Sequence, residues 1–363
     1  MIDFFPLKYY NIIYYSIILY VVLVTYVNSN RFSFFDGKSL AIKNQWGIFL
    51  LGLIIIYLGL RPITHNYFGD MLAYARKFEY YAQGNPFIPA DDVGFYFFLW
   101  ICSKFMSPQV FFLTCAGLYI VPIFFASKRI FKSYWIYAFI FLIGSFEFWS
   151  YGTNGIRNGI ASSLFIYALS KEKRLSQFLW ITISMSFHFS MVLPALGFLL
   201  SIIHKSTKTF LIIWLTSIPL SLFFGGIWDT LFAGLGEERL TEYLLPSEVN
   251  DAVSRTGFRW DFLVYGASGV LAGWYFIYRK KFVDSFYKEL YHTFLFANAF
   301  WILVIRANYS NRFAYLSWFM MGLIIVYPFL KQVLFYNQHR ILGITLLVYV
   351  MFTFFMNVIL VIM

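Results

Sequence analysis

Few side chains in this sequence are placed to do chemistry: Asp70, Asp92, Arg157, His188, Arg259 with Asp261, and Asn311 with Arg312. No Gly-rich phosphate loop, His-Glu-x-x-His pair or Asp-x-Asp metal motif accompanies them. Arg157 stands in "WSYGTNGIRNGIASSL", residues 149–164, with nothing nearby in sequence to neutralise it. An arginine costs roughly 2.5–3.5 kcal/mol at the centre of a bilayer, and less at a helix end. A helix opening at Thr153-Asn154-Gly155 would aim free N–H groups and a positive dipole outward, so its N-terminus and Arg157 together would form an anion site. Gly155 and Gly159, continued by Ser162 and Ser163, make a G-x-x-x-G step that favours close helix packing. Packing explains the small residues and leaves the arginine unexplained.

His188 is the histidine set within apolar sequence, in "SMSFHFSMVLP". The plainer reading is a buried imidazole bonded to a neighbouring carbonyl. Yet it falls at a break between two short helices, and irregular backbone at membrane depth is tolerated only against protein or a cavity. A neutral imidazole there could accept a proton from a hydroxyl. Asp91 and Asp92 are adjacent and could hold a divalent cation, but no third ligand accompanies them, so no metal is expected.

The elements that must position these groups are membrane helices. The chain has 363 residues, 60% of them hydrophobic and 12% charged, with mean hydropathy +0.68. A soluble domain carries about 25% charged residues. Apolar runs of helical length recur, where a β-barrel would alternate over ~10-residue segments. Cys102 and Cys115 lack metal spacing and read as small apolar fillers, and the first apolar stretch reads as a retained span rather than a cleaved signal. The expected fold is all-α: one polytopic membrane domain over 1–363 with about 10–13 transmembrane or half-spanning helices, a full crossing needing ~17–25 residues. Spans are expected near 9–27, 46–60, 109–126, 134–149, 156–170, 175–187, 190–203, 209–224, 260–278, 288–305, 312–330 and 341–362, with 94–106 re-entrant or interfacial.

Placing 28–44 inside also puts "SKRIFKS", "SKEKRLS", "HKSTK" and "YRKKF" inside, the positive-inside pattern. The basic groups left outside are mostly arginines: Arg61, Arg76, Arg157, Arg239, Arg255, Arg259, Arg306 and Arg312. A planar guanidinium suits bidentate phosphate contacts better than lysine does, although some of these groups could simply snorkel or pair with carboxylates. Two outer loops are long, 61–93 and 225–258. The first is helix-compatible up to Gly84-Asn85-Pro86 and puts Asp70, Tyr74, Lys77 and Tyr81 on one stripe. That stripe reads equally as interfacial anchoring or as a cradle for sugars. The second loop, rich in acids, is expected to form a short helix ending at Pro246.

The order "RNGIASSL", "SKEKRL", "SFHFSMVLP" resembles the central signature of EpsG-like, Wzy-type polysaccharide polymerases. "GDMLAYARKF", "DDVGFYFF", "GFRWDFLVYG" and "SNRFAYLSWF" are similar to its flanking elements, with Asp92 where glutamate is commoner. The resemblance spans roughly residues 61–330. It implies a GT-C-like membrane glycosyltransferase of the bacterial inner membrane, with its active site facing outward. Donor and acceptor would be oligosaccharide repeat units on undecaprenyl pyrophosphate, and a chain-length regulator and a flippase would be working partners. Carried onto this sequence, Arg157 and Arg312, helped by Arg259, would clamp the donor pyrophosphate. His188 would be the general base, positioned by Ser190 or by a carboxylate such as Asp70. Asp70, Tyr74, Asp92 and Asn311 would bind substrate. No cofactor is implied, because the leaving group is already activated and arginines take the place of a metal. A transporter or flippase of lipid-linked saccharides would also need outer arginines, but should show internal repeats, and none is visible. A membrane O-acyltransferase shares the arginine and histidine content.

Overall fold

In the computed structural model the described residues are 6–32, 36–89, 91–233, 257–307 and 309–360, and no strand occurs among them. Six helical stretches are long and apolar enough to cross a membrane: 7–31, 37–59, 108–143, 207–228, 310–331 and 338–359. This is a multi-pass, all-α membrane protein. Contacts divide the chain into two compact units, 1–191 with 329–363, and 192–328.

The first unit contains α1 (Tyr10–Arg31), α2 (Gly37–Gly59), α3 (His65–Phe68), α4 (Met71–Ala82), α5 (Val93–Cys102) and α6 (Pro108–Phe131). It continues with α7 (Trp135–Ile143), α8 (Phe148–Thr153), α9 (Ile156–Leu169) and α10 (Arg174–Phe187), and is completed by the C-terminal α17 (Gln338–Phe354). α6 starts where sequence rules put a start: Ser107 Oγ accepts from the Val110 N–H, and Pro108 takes the first helical position. All nine residues of α7 are buried, the pattern of a helix that is apolar all round. α9 packs between α6 and α10, and α1 packs on α17. Several of these helices, α7 to α10 among them, are too short to cross a bilayer, as their short apolar runs imply.

Polar groups inside this unit finish helix ends. The Tyr14 hydroxyl donates to the Ile143 carbonyl at 2.6 Å, where α7 stops, and Tyr57 donates to Tyr10 O at 2.8 Å. Arg61 is 1% exposed; it donates to the carbonyl of Leu58 and, at 3.2 Å, to that of Thr153, in the last turns of α2 and α8. A cation on helix C-terminal carbonyls is the favourable end of the dipole. This arginine, expected on the outer side, is a structural one.

The second unit contains α11 (Val192–Ile203), α12 (Thr207–Ala233), α13 (Trp260–Trp274), α14 (Ser285–Leu303), α15 (Ser310–Trp318) and most of α16 (Met321–Lys331). α14 is its spine, with Tyr287, Tyr291, Phe294 and Trp301 at 0% exposure and α11 and α12 packed on it. Asn298 in α14 accepts from Trp214 Nε1 at 2.7 Å and donates to Ser317 Oγ at 2.9 Å, satisfying a buried amide. The span 310–331 is buried along its whole apolar window. α12 continues past the expected end of its span, with one non-helical residue at Phe224. The short helix expected before Pro246 lies outside the described residues.

Candidate active site

Four elements of the first unit deliver four of the singled-out residues to one place. α4 forms as the sequence period requires, burying Met71, Tyr74, Ala75, Phe78 and Tyr81. It ends just before Gly84, whose φ of 93° suits only glycine well. The expected single helix is broken at Gly69, φ 44°, so α3 and α4 are separate. Tyr74 and Tyr81 are buried in protein, which corrects the reading of that stripe as interfacial anchors.

Asp92 is the N-cap residue of α5, but its side chain makes no cap bond. Gly94, two residues on, approaches α10 so closely that a Cβ there would overlap Ser186 Oγ and lie 2.9 Å from the Ser186 carbonyl oxygen. This approach sets Asp92 against the C-terminal end of α10. There His188 turns the chain into extended backbone, φ −154° and ψ 119°, before the short turn Phe189–Met191 and α11. The helix break expected at His188 is present. The N–H of Phe189 donates to Asp92 Oδ1 at 2.9 Å.

Arg157 is the second residue of α9, whose N-cap is Gly155, so that helix opens where the sequence placed it. Its Nη1 donates to Asp92 Oδ2, and its Nε donates to the Tyr74 hydroxyl at 2.8 Å. The guanidinium lies 5.7 Å from the ring centroids of both Tyr74 and Tyr96. The apparent lack of a neutralising group is thereby corrected: the counter-ion is Asp92, 65 residues upstream. Gly159 meets the Tyr151 carbonyl of neighbouring α8, where a Cβ would sit 2.8 Å from that oxygen, so the glycine serves a local turn.

Asp92 is 1% exposed, while the side chains of Arg157 and His188 keep 15% and 19%. The His188 Nδ1 is buried 3.4 Å from Asp92 Oδ1, just outside hydrogen-bond geometry. Burial pushes the Asp92 carboxyl up, but the neighbouring His188, the Arg157 charge and the Phe189 N–H together hold it below the ordinary carboxylate value. The result is a buried, ionised carboxylate with a guanidinium on one oxygen and an imidazole beside the other. Such a set can bind an anion, orient an imidazole and take up a proton.

Asp70 stands exposed at the start of α4, and the carboxylate beside His188 is Asp92 instead. Ser190 lies in the turn after His188. Arg259, Asn311 and Arg312 belong to the second unit. There Arg259 makes two bonds to Asp261, at 2.9 and 2.6 Å, and stacks 3.5 Å from the Phe262 ring, so its fork is already engaged. Arg312 is exposed in the first turn of α15, 4.9 Å from the Tyr309 ring, and Asn311 reaches the Tyr315 hydroxyl at 3.5 Å. Of the other arginines expected outside, Arg76 is exposed on α4 and Arg306 donates to the Ser221 carbonyl at 2.5 Å. Arg239 and Arg255 lie outside the described residues.

Two residues were not anticipated from the sequence. Tyr96 flanks Arg157 and also holds Lys77 Nζ 4.3 Å from its ring; its place one turn after Asp92 on α5 is the signal that could have found it. Glu147 is 2% exposed and takes the Ser145 hydroxyl on Oε1, while its Oε2 bonds to no described residue.

No curated protein and no solved structure matches the chain. Residues 47–362, nearly the whole chain, match the EpsG family. The helical membrane architecture and the polar cluster on α4, α5, α9 and α10 thus have a family to sit in: the chain belongs to the EpsG family.

Proposed function

We propose that this protein is a polysaccharide polymerase that joins oligosaccharide repeat units carried on undecaprenyl pyrophosphate, on the outer side of the bacterial inner membrane. The observation that carries this reading is the gathering of Arg157 and His188 on one buried carboxylate in a chain of the EpsG family. Arg157 meets the donor pyrophosphate and stabilises the negative charge that grows as it leaves. The acceptor hydroxyl attacks the anomeric carbon of the donor chain, and its proton passes to His188. The His188 Nδ1 is buried beside Asp92, which leaves Nε2, bonded to no described residue, as the ring nitrogen to take the acceptor proton. Arg312 and Arg259 are further candidates for the phosphates, and Tyr74 and Asp70 for the sugars.

The test is direct. Purified protein in liposomes, given one lipid-linked repeat unit, should produce a ladder of longer glycans and free undecaprenyl pyrophosphate. A unit that only crosses the bilayer would make the protein a flippase. A unit that only gains an acyl group from an added acyl donor would make it an acyltransferase.

A further inference from the structure

Arg157 holds its remaining hydrogen-bonding capacity in an unusual way. Its Nε is taken by the Tyr74 hydroxyl and its Nη1 by Asp92 Oδ2, while Nη2 bonds to no described residue. A guanidinium grips a phosphate through two adjacent nitrogens. Either edge of Arg157 that could do so is already half occupied. An arriving pyrophosphate therefore meets Nη2 first, and a two-point grip draws Nη1 away from Asp92 or Nε away from Tyr74. Tyr74 is a neutral hydroxyl that can turn and donate to a phosphate oxygen itself. Asp92 cannot, because a carboxylate and a phosphate on one guanidinium repel each other. Asp92 is the contact that yields.

The second carboxylate oxygen determines where Asp92 then acts. This Oδ1 is held by the Phe189 N–H at 2.9 Å and lies 3.4 Å from His188 Nδ1. The backbone bond keeps the carboxylate beside the imidazole when Arg157 turns to the phosphate. Hydrogen bonds in unliganded catalytic sites are commonly long and tighten with substrate bound. A carboxylate on Nδ1–H fixes the tautomer that leaves Nε2 free, and it stabilises the imidazolium formed on proton transfer.

We propose that Asp92 is a positioning residue that couples the two halves of the reaction: donor pyrophosphate on Arg157 releases Asp92 to act on His188. The inference rests on the polymerase reading above and adds an order to it, donor first and base second. The step balances. A bond forms between the acceptor oxygen and the donor anomeric carbon, and the anomeric bond to pyrophosphate breaks. The electron pair leaves with the lipid pyrophosphate, and the acceptor proton ends on His188 Nε2. With Asp92 held on Arg157, the base is not set until there is a chain to transfer.

Asp92→Asn and Asp92→Glu test this, with undecaprenyl pyrophosphate as the binding probe and one lipid-linked repeat unit as substrate. Asp92→Asn removes the competitor for Arg157 and the charge behind His188. It should bind undecaprenyl pyrophosphate at least as tightly as wild type while kcat falls by about 100-fold or more. Asp92→Glu keeps the charge and should recover part of that turnover. Opposite movement of donor affinity and kcat is something a merely structural carboxylate would not produce. Parallel loss of both, or a kcat for Asp92→Asn within about threefold of wild type, overturns the proposal. So does failure of both variants to accumulate, since the carboxylate would then be a folding element. A wild-type protein that binds the probe but makes no polymer would instead overturn the polymerase reading.

Discussion

Arg157→Ala should destabilise the protein, and Asp92→Asn should repair most of that damage. From sequence alone the expectation runs the other way, because taking a charge out of a membrane segment eases insertion. The structure reverses it. Asp92 is 1% exposed and has Arg157 on Oδ2, so removing the guanidinium takes the counter-charge from a buried carboxylate. Breaking a buried pair from one side costs about 3–5 kcal/mol. Losing the bond from Nε to Tyr74 adds roughly 1 kcal/mol. Asp92→Asn alone strands a less buried group, Arg157 at 15% exposure, and should cost only about 1 kcal/mol. The double variant removes both charges and should sit within about 2 kcal/mol of wild type, because deleting both partners avoids the stranding cost. With the double variant near 2 kcal/mol, the coupling energy of this cycle is about 3–5 kcal/mol. Equilibrium unfolding of the detergent-solubilised proteins measures it, with accumulation in membranes as a second readout. Additive single effects, or an Arg157→Ala protein as stable as wild type, would refute the reasoning that Asp92 depends on Arg157.

Three more outcomes are expected from the same geometry. Gly94→Ala puts a Cβ onto Ser186 Oγ and 2.9 Å from a backbone oxygen, so it should cost about 1–3 kcal/mol and lower polymerisation by displacing Asp92; unchanged melting and rate would count against the close α5–α10 contact. His188→Ala should bind undecaprenyl pyrophosphate like wild type and transfer about 10²–10⁴-fold more slowly, as read in single-turnover assays; loss of binding instead would move His188 from proton transfer to donor recognition. Cysteines placed in 61–93 should label with an impermeant thiol reagent from outside, and those at 171–174 or 279–281 should not; the reverse pattern would turn the Arg157 cluster toward the cytoplasm.

Local signals in the sequence carried a good deal of this structure. Hydropathy placed the six long apolar helices and Gly84 marked the end of α4, whereas the stripe through Asp70, Tyr74, Lys77 and Tyr81 did not mark its buried face, which runs through Met71, Tyr74, Ala75, Phe78 and Tyr81. The break at His188 and the start of α9 at Gly155 were also legible, because each depends on residues within a turn of it. What was not legible was who meets whom. The Asp92–Arg157 pair spans 65 residues, and the Tyr74–Arg157 bond spans 83, so no local period points to either. The Asp-x-Gly step at 92–94 could be seen as a pattern, but its meaning lies in Ser186, nearly a hundred residues away, whose position Gly94 admits. Arginines were the hardest to sort. Arg61, Arg259 and Arg157 look alike in a string of letters, yet one finishes helix ends, one pairs within its own turn and one joins three elements.

The buried span at 310–331 bears on how sequences in this family can drift. A helix that faces lipid must stay apolar, but its neighbours are fluid and accept almost any apolar shape. Val348 and Met351 in α17 and Ile48 and Phe49 in α2 are exposed positions of that kind. Trp318, Met320, Met321 and Ile324, at 0% exposure in the buried span, face close-packed protein instead, where one added or missing methylene is felt. Two segments with nearly the same hydropathy, 1.6 for 37–59 and 1.8 for 310–331, are therefore under different selection, one for oiliness and one for shape. Relatives should exchange leucine, isoleucine, valine and phenylalanine freely along the first and hold residue size along the second, so that the inner helix keeps the older record of descent.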